Sequence, residues 1–134
     1  MIRAALLGAT GSIGASAVEL GREFRGRIRF VSMAARSNDA ALVPAAEEFG
    51  VTRIALADPE AAARARRRFR GEVLEGEEGL ARLASDAEAD VIVNALVGSA
   101  GLGPTVAALQ AGKRVALANK ESVVLAGELL VAIA

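Results

Sequence analysis

Three glycines at intervals of three residues, Gly8, Gly11 and Gly14, lie in the segment LLGATGSIGAS near the start of the chain. The apolar run Arg3–Leu7 just before them predicts a β-strand, and helical spacing begins near Ser12. A glycine turn between a strand and a helix lets the backbone approach a phosphate, and the unpaired N–H groups of the helix start attract its negative charge. The segment therefore predicts a site for the diphosphate of a dinucleotide, and a glycine-rich turn without a ligand is the alternative.

The polar groups and the spacing within this turn refine the prediction. The hydroxyl groups of Thr10 and Ser12 add hydrogen-bond donors for a phosphate, and Gly14 lets the helix pack close to the strand. The spacing is G-x-x-G-x-x-G, which differs from the G-x-G-x-x-G of the commonest NAD fingerprint.

The end of the second predicted strand indicates which dinucleotide is bound. An NAD site typically carries an acidic residue there to hold the ribose 2′-hydroxyl. Here the segment SMAARSND places Arg36, Ser37 and Asn38 at that point, and Asp39 is expected on the first turn of the next helix. A guanidinium beside a hydroxyl and an amide suits a 2′-phosphate, so NADP is favoured over NAD. The alternative for Arg36 is an ordinary exposed arginine.

Two later segments follow predicted strands at the ends where open α/β sheets bind ligands: NALVGSAGLGPT, residues 94–105, and VALANKESVV, residues 115–124. In the second, Asn119, Lys120 and Glu121 bring an amide, an ammonium and a carboxylate to a helix start. This combination can orient a nicotinamide and a polar substrate together. The alternative is that Asn119 only caps the helix.

Apolar runs that alternate with helical spacing predict the order of the elements. Strands are predicted at Arg3–Leu7, Ile28–Met33, Arg53–Leu56, Val91–Ala95 and Arg114–Leu117, with a further short strand at Glu72–Leu74. Helices are predicted at Ser12–Phe24, Ala40–Phe49, from Asp58-Pro59 to before Gly71, Glu77–Ala84, from Pro104 to Ala111, and from near Lys120. The first helix presents Ile13, Ala17 and Leu20 along one apolar stripe. The pattern predicts a single α/β domain, a doubly wound parallel sheet of Rossmann type with five main strands in the spatial order 3-2-1-4-5.

Composition restricts the chemistry and the partners. The chain has no cysteine, histidine, tyrosine or tryptophan, so the commonest metal ligands and general base are missing and a bound cofactor is expected to supply the chemistry. Lys and Arg number 16 and Asp and Glu number 16, which gives no electrostatic reason to expect a nucleic acid or a membrane as partner. The arginine run at residues 64–70 is interpreted as a solvated helix face. These features predict a soluble cytoplasmic protein, and the apolar end GELLVAIA favours a piece of a longer protein over a frayed terminus.

The segments GATGSIG and VGSAGLGPTVAALQAGKRVALANKESVV resemble the amino-terminal domain of the 1-deoxy-D-xylulose 5-phosphate reductoisomerase family. The resemblance covers essentially the whole chain, and LANKES is its most specific part. It implies an oxidoreductase of non-mevalonate isoprenoid biosynthesis. Such an enzyme rearranges a ketose phosphate and reduces the resulting aldehyde with NADPH to 2-C-methyl-D-erythritol 4-phosphate, while Mg²⁺ or Mn²⁺ polarises the substrate. A homodimer is implied as well.

The resemblance also implies roles for individual residues. Cofactor contacts are expected from Thr10, Gly11, Ser12 and Ile13 at the diphosphate, from Arg36, Ser37 and Asn38 around the adenosine ribose and its phosphate, and from Asn119 and Glu121 on the nicotinamide side. Lys120 is expected to contact the phosphorylated sugar substrate. Family members often have Gly then Lys before the asparagine, where this chain has Arg36 then Ser37, and no residue here matches the family's metal-binding Asp-Ser-Glu-His stretch. Residues 1–134 are therefore expected to be an NADPH-binding domain without the catalytic and carboxy-terminal domains, which binds cofactor but does not turn over substrate.

Two alternatives stay open. One is a regulatory module that binds NADP(H) without chemistry, and the other is a different dehydrogenase with a GATG turn, related to aspartate-semialdehyde or homoserine dehydrogenase. LANKES argues against the second, and the cysteine nucleophile of the semialdehyde enzyme is absent. A reading frame that continues into Asp-Ser-Glu-His would favour the enzyme, and a stop codon after Ala134 would favour the module.

Overall fold

One parallel sheet forms the centre of the computed structural model, which describes residues 1–96 and 101–117. Its six strands are β1 (Ile2–Leu7), β2 (Ile28–Ala35), β3 (Arg53–Leu56), β4 (Glu72–Glu75), β5 (Val91–Asn94) and β6 (Arg114–Leu117). They lie in the order β4-β3-β2-β1-β5-β6, and every neighbouring pair is parallel. The doubly wound sheet of Rossmann type is confirmed: the five main strands keep the predicted order, and the short fourth strand adds an edge.

The helices of the described residues occupy the connections between these strands. They are α1 (Ser12–Glu23), α2 (Asp39–Glu48), α3 (Pro59–Arg66), α4 (Gly76–Ala84) and α5 (Leu102–Gln110). The start of α3 is as predicted, because the Asp58 carboxylate accepts the Ala61 N–H at 3.3 Å and Pro59 takes the first helical position. The helix predicted from near Lys120 lies outside the described residues.

Each face of the sheet has its own apolar core. Leu6 and Leu7 are neighbours in β1, yet they belong to two different buried clusters because successive side chains of a strand point to opposite faces. The cluster of Leu6 includes Phe30, Met33, Leu42, Ile54 and Leu56, and that of Leu7 includes Leu80, Leu83 and Ile92. Burial on both faces holds the strands rigidly and leaves the loops at the carboxyl edge to form a site.

The buried face of α1 differs from the apolar stripe in the sequence. Ile13 and Leu20 are 51% and 50% exposed, whereas the helix buries Gly14, Val18 and Gly21. The reason is close packing, because a Cβ atom on Gly21 would lie 2.3 Å from Cε2 of the Phe30 ring. The helix therefore packs through Gly14, Val18 and Gly21. Of the predicted stripe, Ala17 is partly buried against the core, whereas Ile13 and Leu20 face outward.

Candidate dinucleotide site

The turn after β1 is fixed by the two strands on either side of it. The N–H groups of Gly8 and Ala9 both donate to the carbonyl oxygen of Ala34 at the end of β2, at 2.8 and 2.9 Å. Gly8 has a φ of +86°, and a Cβ there would lie 2.6 Å from the carbonyl carbon of Ala95, just after β5. A side chain is excluded at Gly8 both by backbone conformation and by space. The role of this glycine is to set the turn against its neighbours.

The start of α1 leaves backbone donors without acceptors inside the helix. Gly11 is the N-cap residue and has no side chain to accept an N–H group, and the first helical hydrogen bond runs from Ala15 N to Gly11 O at 2.8 Å. The N–H groups of Ser12, Ile13 and Gly14 therefore have no partner within the helix. A Cβ on Gly11 would meet only the Gly8 carbonyl oxygen, at 3.7 Å, so this side of the turn is open. The arrangement suits an anion at the positive end of the helix dipole.

A cleft of about 220 Å³ joins this turn to the end of β2. It is lined by Gly8, Thr10, Gly11, Arg36, Ala57, Leu80, Ala95 and Leu96. The cleft lies at the carboxyl edge of the sheet, beside the central pair β1 and β5, where the chain order reverses. This topological switch point is where open α/β sheets bind their ligands. The structure thus brings Thr10, Gly11 and Arg36 to one cleft, while the predicted Ser12 and Ile13 are exposed at the helix start beside it.

The apolar wall of this cleft was not among the predicted site residues. Ala57 follows β3, Leu80 lies on α4, and Ala95 and Leu96 follow β5. Ala57, Ala95 and Leu96 could have been found from their position in the sequence, because residues just after a buried parallel strand lie at the ligand-binding edge. An apolar wall opposite an anion site suits a flat ring next to a phosphate.

A wider depression of about 650 Å³ lies on the exposed side of α1. Its lining includes the carboxylates of Glu19 and Glu23 and the side chains of Leu20 and Arg22. Two carboxylates repel a diphosphate, so the smaller cleft at the glycine turn is the better dinucleotide site.

The three residues predicted around the ribose are exposed between β2 and α2. The carbonyl oxygen of Arg36 accepts the N–H of Asp58 at 2.8 Å, which ties this loop to the end of β3. Ser37 accepts the Asp39 N–H through its carbonyl oxygen at 3.0 Å. Asn38 is the N-cap of α2, because its Oδ1 accepts the Ala41 N–H at 3.1 Å. Among the described residues its amide group has no acceptor, so it can donate to a ligand.

Asp39 lies on the first turn of α2, as predicted, and its carboxylate is turned away from solvent. The Arg64 guanidinium donates to Oδ1 from Nε at 3.1 Å and from Nη2 at 3.0 Å, and the Arg68 Nη2 donates to Oδ2 at 2.5 Å. The hydrogen bonds from Arg64 are the main cause of a lowered pKa for Asp39, so the carboxylate is ionised. The arginine run is half exposed, as a solvated face should be, but Arg64 and Arg68 are paired with Asp39, and Arg66 is paired with Glu75.

A buried polar network lies at the end of β5, beside the cleft. The Asn94 side chain is fully buried and donates from Nδ2 to the Gly101 carbonyl oxygen at 2.7 Å and to the Thr105 Oγ1 at 2.6 Å. Its Oδ1 accepts the N–H of Leu96, a residue of the cleft wall, at 3.2 Å. The hydroxyl of Thr105 donates to the Gly101 carbonyl oxygen at 2.8 Å. Asn94 therefore connects the cleft wall to the start of α5.

The predicted residues Asn119, Lys120 and Glu121 lie outside the described residues. Within residues 1–96 and 101–117, no group of three or more His, Cys, Asp or Glu side chains is arranged to hold a metal ion. In that same part of the chain, no helix combines the length and the hydropathy that crossing a membrane requires.

Comparison with known proteins adds to this geometry. The family model described as 1-deoxy-D-xylulose 5-phosphate reductoisomerase matches residues 4–127. The 1-deoxy-D-xylulose 5-phosphate reductoisomerase of Thermodesulfovibrio yellowstonii is 41% identical over 131 residues, which are 97% of this chain and 34% of that protein. The chain thus spans about a third of the length of the curated relatives it matches.

Solved structures agree with this match. The crystal structure of a DOX-P reductoisomerase in complex with NADPH, fosmidomycin and magnesium has a TM-score of 0.94 and 39% identity, covering 99% of this chain and 34% of that chain. The 1-deoxy-D-xylulose 5-phosphate reductoisomerase of Zymomonas mobilis in complex with NADPH has a TM-score of 0.91 and 36% identity, covering 98% of this chain and 35% of that chain.

Proposed function

This chain belongs to the 1-deoxy-D-xylulose 5-phosphate reductoisomerase family, and on that premise we propose that residues 1–134 form the NADPH-binding domain of such an enzyme. The observation that carries the proposal is the cleft at the switch point of the sheet, which joins the open start of α1 to Arg36. The similar structures that contain NADPH support the same assignment.

Each part of the cleft has a task in binding NADPH. The free N–H groups of Ser12, Ile13 and Gly14, with the Thr10 hydroxyl, hold the diphosphate. The guanidinium of Arg36, with Ser37 and Asn38 beside it, pairs with the 2′-phosphate. The apolar cleft wall excludes water from the bound nucleotide. When bound, NADPH supplies the hydride for the reduction, and this chain's residues position it.

The remaining assignments extend the proposal to the complete enzyme. Asn119 and Glu121 contact the nicotinamide side of the cofactor, and Lys120 contacts the substrate, 1-deoxy-D-xylulose 5-phosphate. The divalent cation, Mg²⁺ or Mn²⁺, is held by the catalytic domain and not by residues 1–134. The complete enzyme isomerises and reduces its substrate to 2-C-methyl-D-erythritol 4-phosphate in non-mevalonate isoprenoid biosynthesis, as a homodimer in the cytoplasm.

Calorimetric titration of the 134-residue chain with NADPH and with NADH tests the cofactor assignment. We expect tighter binding of NADPH, and we expect Arg36→Ala to weaken NADPH binding by about 10- to 100-fold, since a hydrogen bond to a charged group contributes about 1.5–3 kcal/mol. NADH binding should not change, because NADH has no 2′-phosphate. Arg29→Ala is the matched control, as Arg29 is also exposed but lies near the amino end of β2. Equal affinity of the wild-type chain for both nucleotides would contradict the assignment.

A second measurement tests whether residues 1–134 bind the cofactor while turnover requires the rest of the enzyme, a division of roles between domains. We expect the 134-residue chain to bind NADPH yet to oxidise none of it in the presence of 1-deoxy-D-xylulose 5-phosphate and Mg²⁺, because the metal-binding carboxylates belong to another domain. The control is the complete protein encoded by the same reading frame, which should turn over. Turnover by the 134-residue chain would contradict this division. Binding without turnover by the complete protein would instead favour the regulatory module.

A further inference from the structure

We propose that Arg64 and Arg68 set the preference of this site for NADPH by neutralising Asp39. The inference rests on the proposed function and deepens it. Arg36 to Asn38 supply direct contacts to the 2′-phosphate, whereas Arg64 and Arg68 act through another residue and are positioning residues.

Asp39 is the residue that makes such neutralisation necessary. It follows directly on the three proposed phosphate contacts and opens the helix that Asn38 caps. A carboxylate near the end of the second strand is the group by which NAD sites hold the ribose 2′-hydroxyl, and an uncompensated negative charge there repels a 2′-phosphate. A chain that binds NADPH and carries Asp39 at this position must therefore offset that charge.

The contacts of Asp39 show how the offset is made. Its carboxylate is only 7% exposed, and both of its oxygens accept hydrogen bonds from guanidinium groups, Oδ1 from Arg64 of α3 and Oδ2 from Arg68 two residues after that helix. The lowered pKa keeps it ionised, so it is held as one negative charge between two positive ones. Neither oxygen is left to accept a hydrogen bond from a ribose hydroxyl in preference to these arginines.

The cluster of Asp39, Arg64 and Arg68 differs from an ordinary ion pair because two arginines contact one carboxylate. One arginine is enough to pair a carboxylate, as Arg66 at the end of α3 does with Glu75 of β4 at 2.9 Å. Asp39 has two, and Arg64 and Arg68 are themselves 52% and 50% exposed. Among these three side chains the excess is one positive charge, next to the loop proposed to hold the 2′-phosphate, although Asp58 and Glu60 also act on Arg64. The two arginines thus offset the negative charge of Asp39.

Titration of charge variants with NADPH and NADH tests this inference. In the double variant Arg64→Gln/Arg68→Gln, Asp39 loses its partners, and we expect NADPH to bind about tenfold more weakly while NADH binding changes little, because only NADPH carries the repelled phosphate. Adding Asp39→Asn to this double variant should restore most of the NADPH affinity. Arg66→Gln is the control, since it removes one neighbouring arginine that pairs with Glu75 and not with Asp39, and it should leave the ratio of the two affinities unchanged.

Each outcome has a definite meaning. Equal weakening of both nucleotides in the double variant would overturn the inference, and so would failure of Asp39→Asn to rescue, since arginines that contact the phosphate directly need no Asp39. If the double variant does not fold, Asp39→Asn alone decides: tighter NADPH binding with unchanged NADH binding supports the inference, and unchanged or weaker NADPH binding overturns it. If the wild-type chain itself binds no NADPH, it is the proposed function that fails. If the wild-type chain binds NADPH and the double variant behaves as Arg66→Gln does, only this inference fails.

Discussion

Gly14→Ala is expected to destabilise the fold by about 3 kcal/mol or more and to abolish NADPH binding, although alanine is the better helix former. A Cβ on Gly14 would lie 1.9 Å from the carbonyl oxygen of Gly8 and 2.8 Å from the Cα of Ala9. Both are backbone atoms of a turn that is hydrogen-bonded to Ala34, so they cannot rotate away as a side chain can. The helix must withdraw from the turn, and the N–H groups proposed to hold the diphosphate move with it. Urea unfolding of the variant and of the wild-type chain measures the loss.

Gly11→Ala is the matched control for this prediction. At Gly11 the φ is −79°, which any residue adopts, and a Cβ would be in ordinary contact with the Gly8 carbonyl oxygen at 3.7 Å. We expect a loss of stability of about 1 kcal/mol or less, since alanine is a poorer N-cap than glycine. NADPH binding should weaken, because the new methyl group lies on the open side of the turn. A Gly14→Ala chain as stable as the Gly11→Ala chain would show that α1 does not pack against the turn as described.

The strand order and the place of the glycine turn could be predicted because their signals are local. A continuous apolar run such as Val91–Ala95 indicates a strand covered on both faces, and the intervening helical segments require parallel neighbours. The N-cap of α3 was predictable for the same reason, since Asp58-Pro59 is a two-residue signal. The signal for the first turn of α2 is also local, and Asp39 lies on that turn as predicted.

What the sequence could not predict depends on residues far apart in the chain. The face of α1 was misjudged because both of its stripes have helical spacing, and only the Phe30 ring on the neighbouring strand decides between them. The arginine partners of Asp39 are 25 and 29 residues away in the chain. The sequence therefore predicts an exposed arginine face but not its ion pairs with Asp39. The wall of the cleft is likewise contributed by loops and a helix from separate parts of the chain.

Asn94→Asp is expected to be the most damaging change at the carboxyl edge, at about 3–5 kcal/mol near pH 7. The amide donates to two acceptors, the Gly101 carbonyl oxygen and the Thr105 hydroxyl, at 2.7 and 2.6 Å. An ionised carboxylate of the same size has no proton to donate, so its oxygen would face the Gly101 oxygen in a fully buried place. The Thr105 hydroxyl can turn to donate to the carboxylate, but it then leaves the Gly101 oxygen without a donor.

The loss of unfolding free energy in Asn94→Asp depends on pH if it is caused by a buried charge, but not if it is caused by poorer packing. Burial raises the pKa of an introduced carboxyl above that of the unfolded chain, about 3.9. The folded state then binds a proton more readily than the unfolded state. The loss of unfolding free energy is therefore largest at neutral pH, and it shrinks as the pH falls towards the pKa of the carboxyl in the unfolded chain. We therefore expect the difference in free energy of unfolding between Asn94→Asp and wild type to be smaller at pH 5 than at pH 7, as measured by urea unfolding at both.

Asn38→Asp makes the same chemical change where it should cost little. Asn38 is exposed, and its Oδ1 accepts the Ala41 N–H as an N-cap, a role that aspartate fills equally well. A negative charge is also favourable at the start of α2. We expect its free energy of unfolding to stay within about 0.5 kcal/mol of wild type at both pH values. Equal losses in the two variants would mean that Asn94 is not the buried donor described, and the cleft wall at Leu96 would then need another support.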